Sequence, residues 1–412
     1  VFKKWWSGVS ADFKLLLLAW FFIGISQGLY DTTFNNYLND IFHISTKVRG
    51  YLEFPREAPG FIVVIITGFL MFLPDVRMLG IAFGLVAMGL VGQSFYGASG
   101  LPIFGWMIVN MVIWSIGSHL FLPLSNSIPV RMAEPGKLGE ILGVCNGANT
   151  GAYILGCALI WLLIGRLKFN YALIFRLAAF FAVISAVCLF RMSFKKPDRN
   201  KKFKLVFHKE YTLFYWLSIL YGARKQVFFT FAPWVLVKIY ARKSTTIATL
   251  LFFASLLGVY FKPWLGRMID AVGERVIIIA ESLLLIPICL GYGFAEYLGL
   301  GNYAAYLVYL CFIADNMLIA VSMARATYLH KNLIQEEDFT PTLSMGVSLD
   351  HAVAMTIPML GGLLWETFGY EAIFVMAAGI AMVNIFLANK INDHHKTKIL
   401  IRQENFVDIR NK

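Results

Sequence analysis

Apolar runs long enough to cross a bilayer recur along the whole chain, and no other feature constrains its fold as strongly. A helix needs about 20 mostly apolar residues to span the hydrocarbon. Twelve such runs can be marked, over 13–38, 48–73, 78–97, 104–128, 138–165, 171–190, 211–240, 247–265, 276–295, 304–329, 343–364 and 370–390. Most connections between them are short, so consecutive helices must be antiparallel neighbours. The expected fold is an all-α integral membrane protein, with twelve transmembrane helices in two pseudo-symmetric six-helix bundles.

Composition excludes the aqueous alternative. Of 412 residues 58% are hydrophobic and 15% charged, against about 25% charged in a soluble domain. The 36 phenylalanines exceed what one aqueous core would hold, so much of that surface must face lipid. Lys3 and Lys4 precede the first run and Lys14 stands at its start, as in a signal peptide. The run is too long for one, lacks a small-residue cleavage pattern, and reads as the first membrane helix. Cys145, Cys157, Cys188, Cys289 and Cys311 lie singly inside apolar runs. They indicate neither a zinc site nor a disulfide framework, and serve as small packing residues.

The formal charge of +12 raises the question of nucleic acid, and its placement answers it. The one long connection, RMSFKKPDRNKKFKLVFHKE over 191–210, holds eight of the 36 Lys and Arg residues, with six spans on either side. Basic residues of this kind mark cytoplasmic segments. The expected organisation is therefore a bundle over 1–190, a cytoplasmic linker over 191–210, a bundle over 211–390 and a cytoplasmic tail over 391–412. Both termini are then cytoplasmic in a plasma-membrane protein. No soluble basic domain remains to bind nucleic acid. The halves also echo one another faintly, the fourth span leading into a glycine-rich fifth and the tenth into an eleventh rich in small residues, as transporter repeats do.

Between spans eight and nine the chain reads Gly266-Arg267-Met268-Ile269-Asp270-Ala271-Val272-Gly273-Glu274-Arg275. Together with six helices, a basic loop and six more, this resembles the major facilitator superfamily. The motif is similar to that family's cytoplasmic signature, although Ala271 and Glu274 stand where basic residues are usual. The resemblance implies a gating role for Gly266, Asp270, Gly273 and Arg275. Gly273 would supply a tight turn, and Asp270 would latch the inner gate near a helix N-terminus and basic partners. In the first half only Gly68, Asp75 and Arg77 remain of the equivalent motif, at altered spacing. The fifth span carries Gly143, Asn146, Gly147 and Gly151 and looks like the glycine-rich fifth helix of the family's exporters, without its proline. Close helix packing is the first meaning of such spacing, with efflux as a hint.

Charges inside the spans mark candidate sites, because each costs about 2.5–3.5 kcal/mol at the bilayer centre on insertion scales. Gln27, Asp31 and Asn35 share one face of the first span. Asp31 lies about 27 Å along that helix, in its outer part, at about 1.5 Å per residue. Glu53, Arg56, Glu57 and Gly60 share a face of the second span. Two carboxylates with one guanidinium leave an acid over, and Asp31 adds to the crowding. Such an acid is the kind of group that takes up and releases a proton, although an ion pair fixing helix packing is an equal reading. Asp31, Glu53, Glu57 and Asp350 are therefore the candidate proton-coupling residues.

Arg224-Lys225-Gln226 falls halfway through span seven, and Asp315 at similar depth in span ten. A midplane guanidinium can bind a carboxylate or phosphate in bidentate fashion, or pair with Asp315. His351 follows Asp350 in span eleven, while Ser115, Ser118 and His119 share a stripe of span four. Arg224, Asp315, His119, His351, Asn146, Gln226 and Asn316 are the candidate substrate-binding residues. Arg325 and Arg176, near span ends, are expected to snorkel, and Glu281 to face Arg275 or the loop.

These features predict a secondary transporter working as a monomer by alternating access, coupled to protons or to sodium, for a small organic solute. Efflux is slightly favoured over uptake of a small organic anion; a sensor retaining the carrier fold is the alternative of another class. No nucleophile–base pair, H-E-x-x-H or phosphate-binding loop occurs. No enzyme activity, metal or cofactor is expected.

Overall fold

The structure, a computed structural model, describes residues 9–70, 72–95, 103–132, 138–193, 208–335 and 338–391. Most of the basic linker and the tail from 392 lie outside the described residues. Twelve crossings appear among those described. They are α1 (Ala11–Asp31, resumed as Phe34–Phe42), α2 (Thr46–Phe61, resumed as Val63–Phe69), α3 (Asp75–Ser94) and α4 (Phe104–Met132). Next come α5 (Leu138–Ile160, closing in a π-helical turn Trp161–Arg166), α6 (Tyr171–Phe190), α7 (Thr212–Lys238) and α8 (Ser244–Val272). The last are α9 (Glu274–Phe294), α10 (Ala304–Leu318, running through Ile319–Val321 into Ser322–Lys331), α11 (Phe339–Phe368) and α12 (Glu371–Ala388).

Ten of these are long and apolar enough to cross a membrane by length and composition alone. The two outside that group are α2 and α7, the helices that carry Arg49 to Glu57 and Arg224 to Gln226. Their polar residues point into protein, so tertiary contact replaces hydropathy as the reason they span. Outward-facing Phe180, Leu310, Val375 and Phe386 are more than half exposed. An apolar rim on this scale is suited to lipid.

The polar breaks have local causes. In α1 the Thr32 hydroxyl donates to the carbonyl of Gly28 (2.7 Å) and that of Thr33 to Leu29 (2.7 Å), interrupting the ladder between the two segments. In α2 Pro55 and Pro59 precede the interruption at Ile62.

Each half has its own apolar core. One runs from Phe13 to Met192 and takes in only Trp234 and Ala248 from beyond; the other runs from Tyr211 to Ile391. Within them α1 packs on α5 and α6 as α7 packs on α11 and α12, and α3 packs on α6 as α9 packs on α12. The same pseudo-symmetry relates the two main contacts between the bundles, α2 with α11 and α5 with α8. All five cysteines are buried.

Among the described residues the side-chain links between the bundles gather toward one end. There the Asn36 side chain donates to the Arg242 carbonyl (2.9 Å), Trp234 Nε1 to Thr46 Oγ1 (3.0 Å), the Lys47 amide to Glu366 (3.2 Å) and Trp161 Nε1 to Thr249 Oγ1 (2.9 Å). Gly50 lets α2 lie against the carbonyl of Pro358, and Gly362 meets the backbone of Lys47. At the opposite end α5 and α8 diverge. A Cβ added at Gly143, Gly147 or Gly151, or at Gly266 of α8, would meet nothing within 4 Å. The expected close packing at the α5 glycines is therefore absent in this conformation; Gly156, one turn beyond, is the glycine against which α1 packs.

Candidate functional site

Helical spacing assembles the first polar group. Residues 49, 53, 56 and 57 recur every three or four positions and so share the face of α2 turned toward the second bundle. Arg49 and Glu53 are wholly buried and paired with each other, and Arg49 Nε donates to Asn35 Oδ1 at 3.0 Å. Arg56 donates to Glu53 Oε1 at 3.2 Å and lies 3.5 Å from Glu57 Oε1. The expected unmatched acid is not there. Arg49, one turn before Glu53, supplies the second guanidinium, and α2 carries two of each charge. Asp31 stands apart from these acids, near enough to Tyr153 of α5 and Arg56 for both to act on it.

Two contacts take this group across to the second bundle. Gln226 Nε2 of α7 donates to Glu53 Oε2 at 2.7 Å, and His351 Nδ1 of α11 lies 3.0 Å from Glu57 Oε2. His119 Nε2 of α4 faces the same oxygen at 3.6 Å, and its Nδ1 lies 2.9 Å from the Ser115 carbonyl. The donor atoms of Glu57, His119 and His351, all buried, lie within 4.8 Å of one another. They come from three helices, so no sequence spacing could reveal them.

A second group is internal to the second bundle. Arg224 donates to Asp315 Oδ1 at 3.1 Å and lies 3.4 Å from Glu281 Oε1, all three buried. Lys225 Nζ bonds both oxygens of Asp350, at 2.7 and 2.8 Å. Consecutive residues on a helix point about 100° apart, and here Arg224, Lys225 and Gln226 reach three different partners. Contrary to expectation, Glu281 faces neither Arg275 nor the loop. It points inward from α9, while Arg275 donates to Asn389 (3.0 Å) and Glu274 pairs with Lys331 (2.5 Å). Nor does Arg325 snorkel: its guanidinium lies 3.4 Å from the centre of the Tyr221 ring and donates to the Leu217 carbonyl (3.3 Å). Arg176, by contrast, sits near its helix end over Phe95 and bonded to Ser94.

Between the bundles lies a cavity of about 220 Å³, walled by Asn149, Thr150 and Tyr153 of α5, Ser255 and Lys262 of α8, and Asn316 of α10. Asn316 was expected here. Asn146, one turn from Asn149, is exposed but stands outside the wall. Arg224, Asp315, His119, His351 and Gln226 are buried in the two polar groups and do not line it. Asp31, exposed, is the candidate carboxylate on which a residue of that wall, Tyr153, acts. Asn149, Tyr153, Ser255 and Lys262 escaped the sequence reading because amides, hydroxyls and a helix-end lysine are ordinary in any span. The one available signal was Asn149 and Thr150 inside the glycine-rich stretch.

At the junction of α8 and α9, Gly273 takes φ +87°, the turn expected of it. Asp270 lies in the last turn of α8, exposed, and makes no ion pair among the described residues. Gly266 borders open space.

A family model described as Major Facilitator Superfamily matches residues 57–337. No curated protein sequence matches the chain. Among solved structures it is similar to the nucleoside transporter NupG (TM-score 0.72, 12% identity, covering 93% of this chain and 99% of that one). A D-xylose-proton symporter gives TM-score 0.70 at 15% identity over 92% of this chain and 97% of that one. The fucose:proton symporter FucP of E. coli gives 0.58 at 12% identity over 92% and 98%. At these identities the likeness is one of fold.

Proposed function

The chain belongs to the major facilitator superfamily and is a secondary transporter of a small solute, and on that premise we propose that it imports a hydroxyl-rich organic solute together with protons. The observation carrying this reading is the cavity between the bundles, with amides, hydroxyls and Lys262 on its wall and Asp31 beside it through Tyr153. Such a wall offers many hydrogen bonds and one positive charge, which suits a sugar- or nucleoside-like molecule, neutral or singly anionic. The solutes named for the structural relatives are of that kind, and two of those relatives are proton symporters. Arg224, engaged by Asp315 and Glu281, is less available to an anion than Lys262.

Taking the basic linker as cytoplasmic, the joined end faces outward and the open end faces the cytoplasm of a plasma-membrane carrier acting as a monomer. Alternating access then requires the α2–α11 contact to part while α5 and α8 close. In this scheme Asp31 carries the coupled proton, because it is the candidate carboxylate that water reaches without breaking an ion pair. Glu53 and Glu57 hold the bundles in register through Gln226 and His351, Asp350 fixes α11 to α7 through Lys225, and Gly266, Asp270, Gly273 and Arg275 form the inner gate when α8 closes. The glycine-rich segment of α5 borders the open mouth, which suits entry into the cytoplasm as well as exit, so it no longer argues for efflux.

The test is uptake by proteoliposomes, alkaline inside, over a panel of pentoses, hexoses and nucleosides. Accumulation above the external concentration that collapses with a protonophore is expected. Asp31→Asn should lose accumulation and keep solute exchange. Uptake indifferent to the pH gradient, or full accumulation by Asp31→Asn, would overturn the coupling scheme.

A further inference from the structure

The group formed by Glu57, His119 and His351 has a geometry that an ion-pair account leaves unfinished. His119 Nδ1 lies 2.9 Å from the Ser115 carbonyl and 3.0 Å from Ser115 Oγ, whose own hydrogen goes to the Arg56 carbonyl, so both partners accept and Nδ1 carries the hydrogen. In the neutral ring Nε2 then presents a lone pair, and it presents it to Glu57 Oε2, an anionic acceptor 3.6 Å away. Two acceptors face each other beyond hydrogen-bond distance. His351 Nδ1 converges on the same oxygen at 3.0 Å. A cation shared by the three atoms resolves this, and a backbone carbonyl fixing the far nitrogen of a ligating imidazole is a recurrent support for metal sites.

Gly60 gives the independent observation. A Cβ at that position would fall 2.5 Å from His119 Cδ2, 2.6 Å from His351 Nδ1 and 2.7 Å from His119 Nε2. The two ring nitrogens thus look into one small volume that only glycine leaves free. The rings stand edge to face at 4.8 Å between centres, as two ligands of one centre can. Arg56 takes the other oxygen of Glu57, and Lys225 is neutralised by Asp350, so Oε2 stays available to a cation.

We propose that Glu57, His119 and His351 form a binding site for a divalent transition-metal ion of the zinc class. Two imidazoles and one carboxylate are a donor set that suits zinc, and a fourth position is left for water. Glu57 and His119 belong to the first bundle and His351 to the second, so the bound ion clasps α2 and α4 to α11. Metal binding therefore opposes separation of the bundles at their joined end and slows the carrier. That consequence rests on alternating access; the binding itself does not.

The purified full chain, with any affinity tag removed, is titrated with Zn2+ against a chromophoric chelator. One ion per chain is expected. Losing an outer-shell partner alone costs metal sites about 10–100-fold in affinity, so Glu57→Gln, His119→Gln and His351→Gln should each weaken binding at least about tenfold. Replacing the tail histidines, His394→Gln with His395→Gln, should leave binding unchanged. Stoichiometric binding that survives all three site substitutions, or vanishes with the tail pair, would overturn the proposal. Should the site variants fail to fold, Co2+ added to the parent decides: intense visible bands of a four- or five-coordinate ion support it, and the weak spectrum of hydrated cobalt refutes it. If no solute is carried under any condition, the transport reading fails while the metal titration still reports on the site.

Discussion

The two contacts between the bundles are related by pseudo-symmetry, yet they are built oppositely. Where α2 meets α11, backbones touch at Gly50 and Gly362, and Glu57 reaches His351. Where α5 meets α8, the helices meet at Trp161 and Thr249 and then part around a cavity of amides and hydroxyls. One contact has the tight approach and the charges, the other the open cavity. In a carrier that exchanges its open end, the difference locates the present state in its cycle: the α2–α11 contact is what must break, and the α5–α8 crevice is what must close.

Arg224 lies in neither contact and sets the scale for breaking structure alone. Removing one member of a buried ion pair costs about 3–5 kcal/mol, and Arg224→Ala strands two buried carboxylates. It should give the largest loss of thermal stability in detergent while leaving the balance between open ends unaltered in the protein that remains folded. A loss no greater than that of a surface substitution would place the organising charge elsewhere. Gly50→Leu comes next. It drives a side chain into the Pro358 carbonyl, and overpacking of this kind costs about 1–3 kcal/mol. Spin labels across the joined end should show the bundles separated in a much larger fraction of molecules, and unchanged distances would mean that α2 and α11 are not the seal. Gln226→Ala removes the hydrogen bond to the charged Glu53, worth about 1.5–3 kcal/mol, and a longer one to Thr230 within α7. Part of that falls on both states, so the same labels should register a smaller shift in the same direction. Gly147→Ala completes the series. With open space around it and Ala favoured in helices by about 1 kcal/mol, it should leave the measured conformational balance and stability nearly unchanged. Marked destabilisation would show that α5 packs more closely than its glycines indicate.

The spans were legible because each is set by its own residues against a known solvent. Even α2 and α7, too polar for hydropathy alone, could be marked from the spacing of the apolar residues around their charges. The polar groups were legible only in part. Sequence spacing showed that Glu53, Arg56 and Glu57 share a face, but Arg49, one turn earlier on the same face, was left out, and with it the charge balance. Pairing across helices was harder still. Arg224 with Asp315 follows from equal depth, whereas Glu281 with Arg224, and Glu57 with two histidines, depend on the rotation of helices far apart in sequence. The cavity wall was hardest, since Asn149 and Ser255 differ from packing residues only in what stands opposite them.

The burial of every native thiol has a practical corollary. Cys145, Cys157, Cys188, Cys289 and Cys311 are screened in this conformation, so a bulky water-soluble maleimide has no native target among them. A new cysteine introduced at Gly147, where the space around the backbone is open, would stand as an isolated reporter against a silent background. The timing of its modification could then follow the turnover of an otherwise unaltered molecule.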